Sequence, residues 1–288
     1  MTPTLVRQHL PRTGTGPRVD QRSRARDWSE IQERMLVPLY EAVYERLDVG
    51  PATRLLGLGC GSGLALLMAA SRGAAVTGVD TSADRLALAR ERLLPGERDE
   101  RSRPGGGDGT RIVRGSPREA ARADAPAYTV VTAFEPIGPR AGDVEELGGL
   151  LSEATPLTGR GAAVVLAGWG PPERCATASV LRVAAKLAEP LRTTGGARAA
   201  DRDDLERAAA RAGLRPDGSG RVACPFGYAD VDSAVRGLRS TGLFDAAITA
   251  TDQVQVDKEL AEALHPYQRP DGTVWMPNVF RYLIARTP

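Results

Sequence analysis

The strongest constraint on this chain lies between Arg54 and Asp80. Leu55-Leu56-Gly57-Leu58 is a short apolar run of the kind buried in a sheet. It passes into Gly59-Cys60-Gly61-Ser62-Gly63, with glycine at every second position, before apolar residues resume at Leu64 with helical spacing. Glycines in such a turn adopt positive φ angles and let a ligand approach bare backbone, and the helix that follows offers unpaired N–H groups to an anion. A second apolar run, Ala75 to Val79, ends in Asp80. A carboxylate there can accept both hydroxyls of a ribose. Strand, glycine turn, helix, strand and acid together predict a parallel strand pair with a right-handed crossover and a nucleoside-type ligand at its C-terminal edge.

The same alternation continues along the chain. Helices are predicted over Leu64 to Ser71, closed by Gly73, over Ala83 to Leu94 and over Val144 to Leu151; strands are predicted at Arg111 to Arg114, Tyr128 to Phe134 and Gly161 to Ala167. This is the pattern of a doubly wound α/β fold, a mostly parallel sheet covered on both faces. Ile31, Met35, Leu36, Leu39, Val43 and Leu47 predict an amphipathic N-terminal helix from Asp27-Trp28 to the breaker pair Gly50-Pro51. Residues 1–26, rich in arginine and interrupted by proline and glycine, are expected to form a flexible basic tail, and 27–288 a single domain. The alternation stops after Trp169, where a helical segment at 174–190 reads as part of a small helical cap inserted at about 170–202. Beyond it come a helix at Asp203 to Ala212, strands at Arg221 to Cys224 and Val279 to Ala285, and between those strands helices at Val231 to Leu238 and Lys258 to Leu264. Gly96 to Gly109 reads as an exposed insertion.

Composition removes several classes of function. The 288 residues include 38 basic and 36 acidic side chains, a net charge of +2 that does not suit wholesale nucleic-acid binding. All the basic residues but Lys186 and Lys258 are arginine, a bias associated with GC-rich genomes. Three cysteines without a C-x-x-C pair predict no disulfide framework, and with only His9 and His265 present no metal centre is expected. No apolar run is long enough for a membrane span or a signal peptide, so the expected location is cytoplasmic.

The glycine turn fails the NAD fingerprint G-x-G-x-x-G/A in every register, and no Gly-Lys-Ser/Thr completes a phosphate-binding Walker loop. From Gly59 onward it resembles the (D/E)-x-G-x-G-x-G motif of the class I S-adenosylmethionine-dependent methyltransferases. The likeness runs from about Trp28 to Arg286 and looks closest to the UbiE-like or type 11 small-molecule enzymes of actinobacteria. Asp27-Trp28-Ser29-Glu30, Val79-Asp80-Thr81-Ser82, Asp204 to Leu214 and Asn278-Val279-Phe280-Arg281-Tyr282-Leu283 support it.

The resemblance implies a seven-stranded sheet with its last strand antiparallel, S-adenosylmethionine as cofactor and S-adenosylhomocysteine as product. By the motif, Gly59, Gly61 and Gly63 would border the methionine moiety, Asp80 would hold the ribose, and Thr81 with Ser116 and Pro117 would border the adenine. Gly57, Cys60, Ser62 and Phe134 would belong to the same site, and Trp28 would close over it or anchor its helix to the core. The reaction implied is in-line displacement onto a small-molecule acceptor, without nucleic acid, membrane or metal, by a monomer or homodimer. Glu135, at the end of the fourth strand, and His265 are the candidate bases for a hydroxyl acceptor. Trp169 and Tyr228 are candidate walls of the acceptor pocket.

The chain departs from the family pattern at Gly57, where an acid is usual, at Ser116, where Asp is common, and at Thr129 and Glu135, which replace Asp and Asn around the fourth strand. These departures leave open an alternative: a catalytically degenerate methyltransferase-fold protein with a binding or regulatory role toward a protein partner.

Overall fold

Leu55, Leu56 and Leu58 present apolar side chains on both faces of their strand, so β1 (Arg54–Leu58) belongs in the middle of a covered sheet. The computed structural model, which describes residues 20–95, 109–122, 125–138, 142–188 and 203–288, places it there. The chain begins with α1 (Gln21–Asp27) and α2 (Val37–Arg46), and β1 is followed by α3 (Leu64–Ala70), β2 (Ala75–Asp80), α4 (Ala83–Leu93) and β3 (Thr110–Arg114). Next come β4 (Tyr128–Ile137), α5 (Asp143–Ala154), β5 (Thr158–Trp169), α6 (Thr177–Ala188), α7 (Asp204–Arg211) and β6 (Arg215–Ala223). A short hairpin pairs β7 (Phe226–Tyr228) with β8 (Val274–Met276), and α8 (Val231–Ser240), α9 (Asp245–Ala250) and α10 (Gln253–Leu264) lie between its strands in sequence. The last strand is β9 (Val279–Arg286).

The main sheet has the order β3-β2-β1-β4-β5-β9-β6, parallel except for β9, which runs antiparallel to both neighbours. The strand order reverses between β1 and β4, the point at which open α/β sheets bind ligands. The register pairs Leu58 with Val79 and with Ala133, so the chain leaves β1, β2 and β4 along one edge. Alternation then sorts the core. Leu55, Val76, Val130 and Val165 face Leu39, Val43 and Leu66 of α2 and α3, whereas Leu56, Val131, Val164 and Leu166 face Leu147, Leu151 and Leu205 of α5 and α7. Each of these side chains contributes about 1.5–3 kcal/mol by its burial.

Several sequence expectations need correction. The N-terminal helix is not continuous. A π turn over Trp28–Gln32 and a 3-10 turn over Glu33–Leu36 precede α2, because Pro38 lacks an N–H and can sit only in the first turn of a new helix. Residues 20–26, expected in the tail, are folded. Asp20 caps α1 through the N–H groups of Arg22 and Ser23, Ala25 is buried, and Arg24 pairs with Asp245 at 3.0 Å; residues 1–19 lie outside the described residues. Strand β6 starts at Arg215, ahead of the expected Arg221. It is an edge strand with a largely exposed sequence, so it carries no apolar run that would reveal its full length. Of the expected cap, α6 is described and 189–202 are not, and the insertion at 96–108 is likewise outside the described residues.

Candidate functional site

Gly59 and Gly61 have φ of +57° and Gly63 +81°, a backbone that side chains rarely adopt, and Gly63 is the N-cap of α3. This conformation turns the Gly61 N–H onto Asp80 Oδ2 at 2.9 Å, while Asp80 Oδ1 accepts from Ser82 N at 2.8 Å. The buried acid at the end of β2 thus ties the glycine turn to the start of α4. A carboxylate has about four acceptor sites, so two bonds leave capacity for a ligand.

The N-terminal segment sits on this turn. A Cβ on Gly61 would lie 3.0 Å from Trp28 Nε1 and 3.2 Å from Glu33 Oε1, so glycine is required for the close approach. Glu33 is 2% exposed; it accepts from Ser62 Oγ, from Leu64 N at 3.4 Å and from Arg92 Nη1 at 2.9 Å. Arg92 also reaches the Ser62 carbonyl at 2.8 Å and Ser29 Oγ at 2.9 Å. Trp28 is buried under the Arg85 guanidinium, which lies 4.5 Å from the ring centroid, and its Nε1 has no hydrogen-bond partner among the described residues. The turn therefore meets a buried carboxylate although position 57 carries none. At Gly57 itself a Cβ would meet Leu66 Cδ2 at 2.9 Å. Glu33 and Arg92 were not legible as site residues; the only signal was an acid placed among the apolar residues Ile31, Met35 and Leu36.

Two cavities adjoin the turn. The smaller, about 20 Å³, touches Gly57, Cys60, Gly61, Phe134 and Glu33, and holds about one water. The larger, about 210 Å³, is floored by Leu58, Ala133 and Ile137 and walled by Trp28, Leu36, Trp169, Phe226 and Phe280, with Glu135, Asp143 and Glu146 supplying carboxylates. Trp28, Leu36, Leu58, Gly59 and Glu135 line both. Trp169 packs on Phe280, with centroids 4.7 Å apart, and edge-on to Phe226. Burial, reinforced by the Asp80 and Glu33 carboxylates, pushes the Cys60 thiol up to about 12, so it is neutral and not a nucleophile. Burial and Glu33 likewise raise the Tyr40 phenol well above its ordinary value.

The remaining expected residues divide. Thr81 is exposed next to Asp80. Ser116 donates from its N–H and Oγ to Glu119, capping a short 3-10 turn that starts at Pro117; the Gly115 N–H donates to the Asp80 carbonyl at 3.0 Å, which keeps this loop beside the acid. Tyr228 does not line the larger cavity, but its hydroxyl donates to Gln32, which does. His265 is exposed beyond α10 and lines neither cavity. Thr129 lies at the opposite edge of the sheet, accepting from Arg54 N at 3.0 Å, so this departure does not touch the site. The register of β4 places Glu135, not Thr129, at the ligand edge.

Residues 56–112 match the sequence model of a methyltransferase domain. None of the curated proteins matches the chain. Among solved structures, a candidate methyltransferase from Bacillus halodurans C-125 is similar with a TM-score of 0.52 at 14% identity, over 86% of this chain and 98% of that one. A geranyl diphosphate C-methyltransferase from Streptomyces coelicolor A3(2), crystallised with S-adenosyl-L-homocysteine, is similar with a TM-score of 0.47 at 17% identity, over 89% of this chain and 82% of that one. At these identities the first likeness is one of fold, and the second carries no argument.

Proposed function

Because the chain has the Rossmann-like fold of the class I S-adenosylmethionine-dependent methyltransferases, we propose that it binds S-adenosylmethionine and transfers the methyl group to a small-molecule acceptor. The observation that carries this reading is the glycine turn bonded to Asp80 beneath Trp28. Its chemistry fits the cofactor: Trp28 Nε1 is a buried donor in need of an acceptor, bare backbone faces it at Gly61, and a carboxylate stands where a ribose is read. Gly59, Gly61, Gly63 and Asp80 would hold the group, with Thr81, Ser116 and Pro117 toward its base. When bound, it supplies an electrophilic sulfonium methyl.

The chain's own residues supply alignment, an apolar wall and a proton acceptor. Trp28, Leu36, Trp169 and Phe280 give the larger cavity an apolar, mostly aromatic wall that suits a largely apolar acceptor. Holding two reactants in line contributes about 7–11 kcal/mol to such a displacement. Glu135 Oε2, 3.7 Å from the position of a Cβ on Gly59, stands between turn and cavity and would take the proton of a hydroxyl acceptor.

Calorimetric titration with S-adenosylhomocysteine, followed by transfer of labelled methyl from S-adenosylmethionine to a metabolite extract, tests the reading. Saturable binding and a labelled small product are expected. Absence of binding would overturn it, and binding without transfer would favour the non-catalytic alternative.

A further inference from the structure

A cavity of about 250 Å³ opens at the opposite edge of the sheet, where β1 to β4 begin. Its lining includes Arg54, Arg111 and Arg122 and the hydroxyl residues Thr77 and Tyr128, and among the described residues no acid lines it. The register sets Arg111 beside Thr77, and β1 carries Arg54 on the other flank of β2. Arg54 Nε donates to the Pro126 carbonyl at 3.1 Å, and Arg111 Nη1 to the Ala120 carbonyl at 3.1 Å. Among the described residues none of the three arginines has a carboxylate partner, whereas Arg24, Arg92, Arg211, Arg239 and Arg286 all do. Neither Thr77 nor Tyr128 spends its hydroxyl on another described residue.

Three guanidiniums around one concavity repel one another, and the field they create is relieved by a bound oxyanion. Backbone carbonyls fix the planes of two of them, each through one of five N–H donors, so the remaining donors are held for bidentate pairing. Concavity favours a small molecule over a duplex backbone, which would lie on an open surface. We propose that this cavity binds a small phosphorylated molecule, with Arg54, Arg111 and Arg122 pairing its phosphoryl oxygens and Thr77 and Tyr128 bonding to it. The site is separate from the glycine turn and does not depend on the methyl-transfer reading.

The test is calorimetric titration of the full chain with pyrophosphate at low salt, with inorganic phosphate and citrate as parallel probes. One saturable site is expected. Arg122→Ala and Arg111→Gln should each weaken it about tenfold or more, the loss of a hydrogen bond to a charged group. Arg118→Ala, which removes an exposed arginine paired with Glu153 away from the cavity, should leave it unchanged. The Arg122 side chain makes no hydrogen bond or ion pair with the described residues, and its carbonyl bond from Ala125 N is kept in an alanine, so its variant stays folded and decides the matter if Arg111→Gln does not. Pyrophosphate held more tightly than phosphate identifies a phosphorylated molecule, and equal affinity a free oxyanion; both support the site. No binding, equal binding by the variants, displacement by S-adenosylhomocysteine, or citrate held as tightly as pyrophosphate would overturn it.

Discussion

Arg92 Nη1 lies 2.9 Å from Glu33 Oε2, joining the last turn of α4 to the segment before α2 across the glycine turn. The carboxylate side chain is 3% exposed and the guanidinium 23%, so the two partners are not equivalent. Arg92→Leu leaves a buried charge with only the Ser62 hydroxyl and a long bond from Leu64 N, a change that costs about 3–5 kcal/mol. Glu33→Gln leaves an arginine that can turn to water and costs about 1–2 kcal/mol. Urea unfolding should rank the two variants in that order; a Glu33→Gln loss equal to that of Arg92→Leu would show that the acid is not the member in need of rescue.

Gly61→Ala acts on the same contact from the other side. Its φ of +57° costs an alanine about 1–2 kcal/mol, and the new methyl meets Trp28 Nε1 at 3.0 Å. The indole should be pushed into water, giving a red-shifted tryptophan emission and at least about tenfold weaker S-adenosylhomocysteine binding. Gly57→Ala is the control. Its methyl meets the end of the Leu66 side chain instead, so it should lose about 1–3 kcal/mol of stability with no shift in emission.

The parallel core was legible because β1, β2, β4 and β5 each hold a short stretch dominated by apolar residues, as in Leu55 to Leu58, whereas β3 shows only Ile112 and Val113 between polar residues. The glycine turn and Asp80 were legible because their chemistry is local in sequence. What escaped was set by distance or by a single residue. Glu33 and Arg92 are 59 positions apart and acquire meaning only when α4 packs under the N-terminal segment. The break before α2 rests on Pro38, which the apolar periodicity of the segment overrode. β7 and β8, three residues each, are held by a pairing across the whole of α8 to α10 and leave no local pattern. Thr129 and Glu135 both belong to β4, but the first stands at its start beside Arg54 and the second toward its end beside the glycine turn, so the two departures act at different places.

If Glu135 accepts the acceptor's proton, Glu135→Gln should lower kcat for a hydroxyl acceptor by about 10²-fold or more and leave S-adenosylmethionine binding within about twofold. His265→Ala should change neither, because that side chain is exposed and lines neither cavity. An unchanged kcat in Glu135→Gln would leave the carboxylate a role in shaping the cavity only.

Alkaline stability tests the buried thiols and phenols. Burial pushes Cys60 and Cys224 up to about 12 from an ordinary 9.0, and raises Tyr40 and Tyr228 above 10.0. In the unfolded chain these groups ionise from about pH 9 upward while the folded chain keeps them neutral. A folded value raised in this way means that the stability is fully present below pH 9 and is lost as pH rises toward 12. The urea midpoint should therefore hold steady from about pH 7 to 8.5 and then fall steeply to pH 11. Cys224→Ala should flatten part of that fall, because it removes a thiol that must otherwise ionise on unfolding. The same burial should keep the cysteines slow toward iodoacetamide at pH 8, with labelling appearing only as urea unfolds the chain; a Cys60 alkylated as fast as a free thiol under native conditions would mean that the Trp28 segment lifts from the glycine turn in solution.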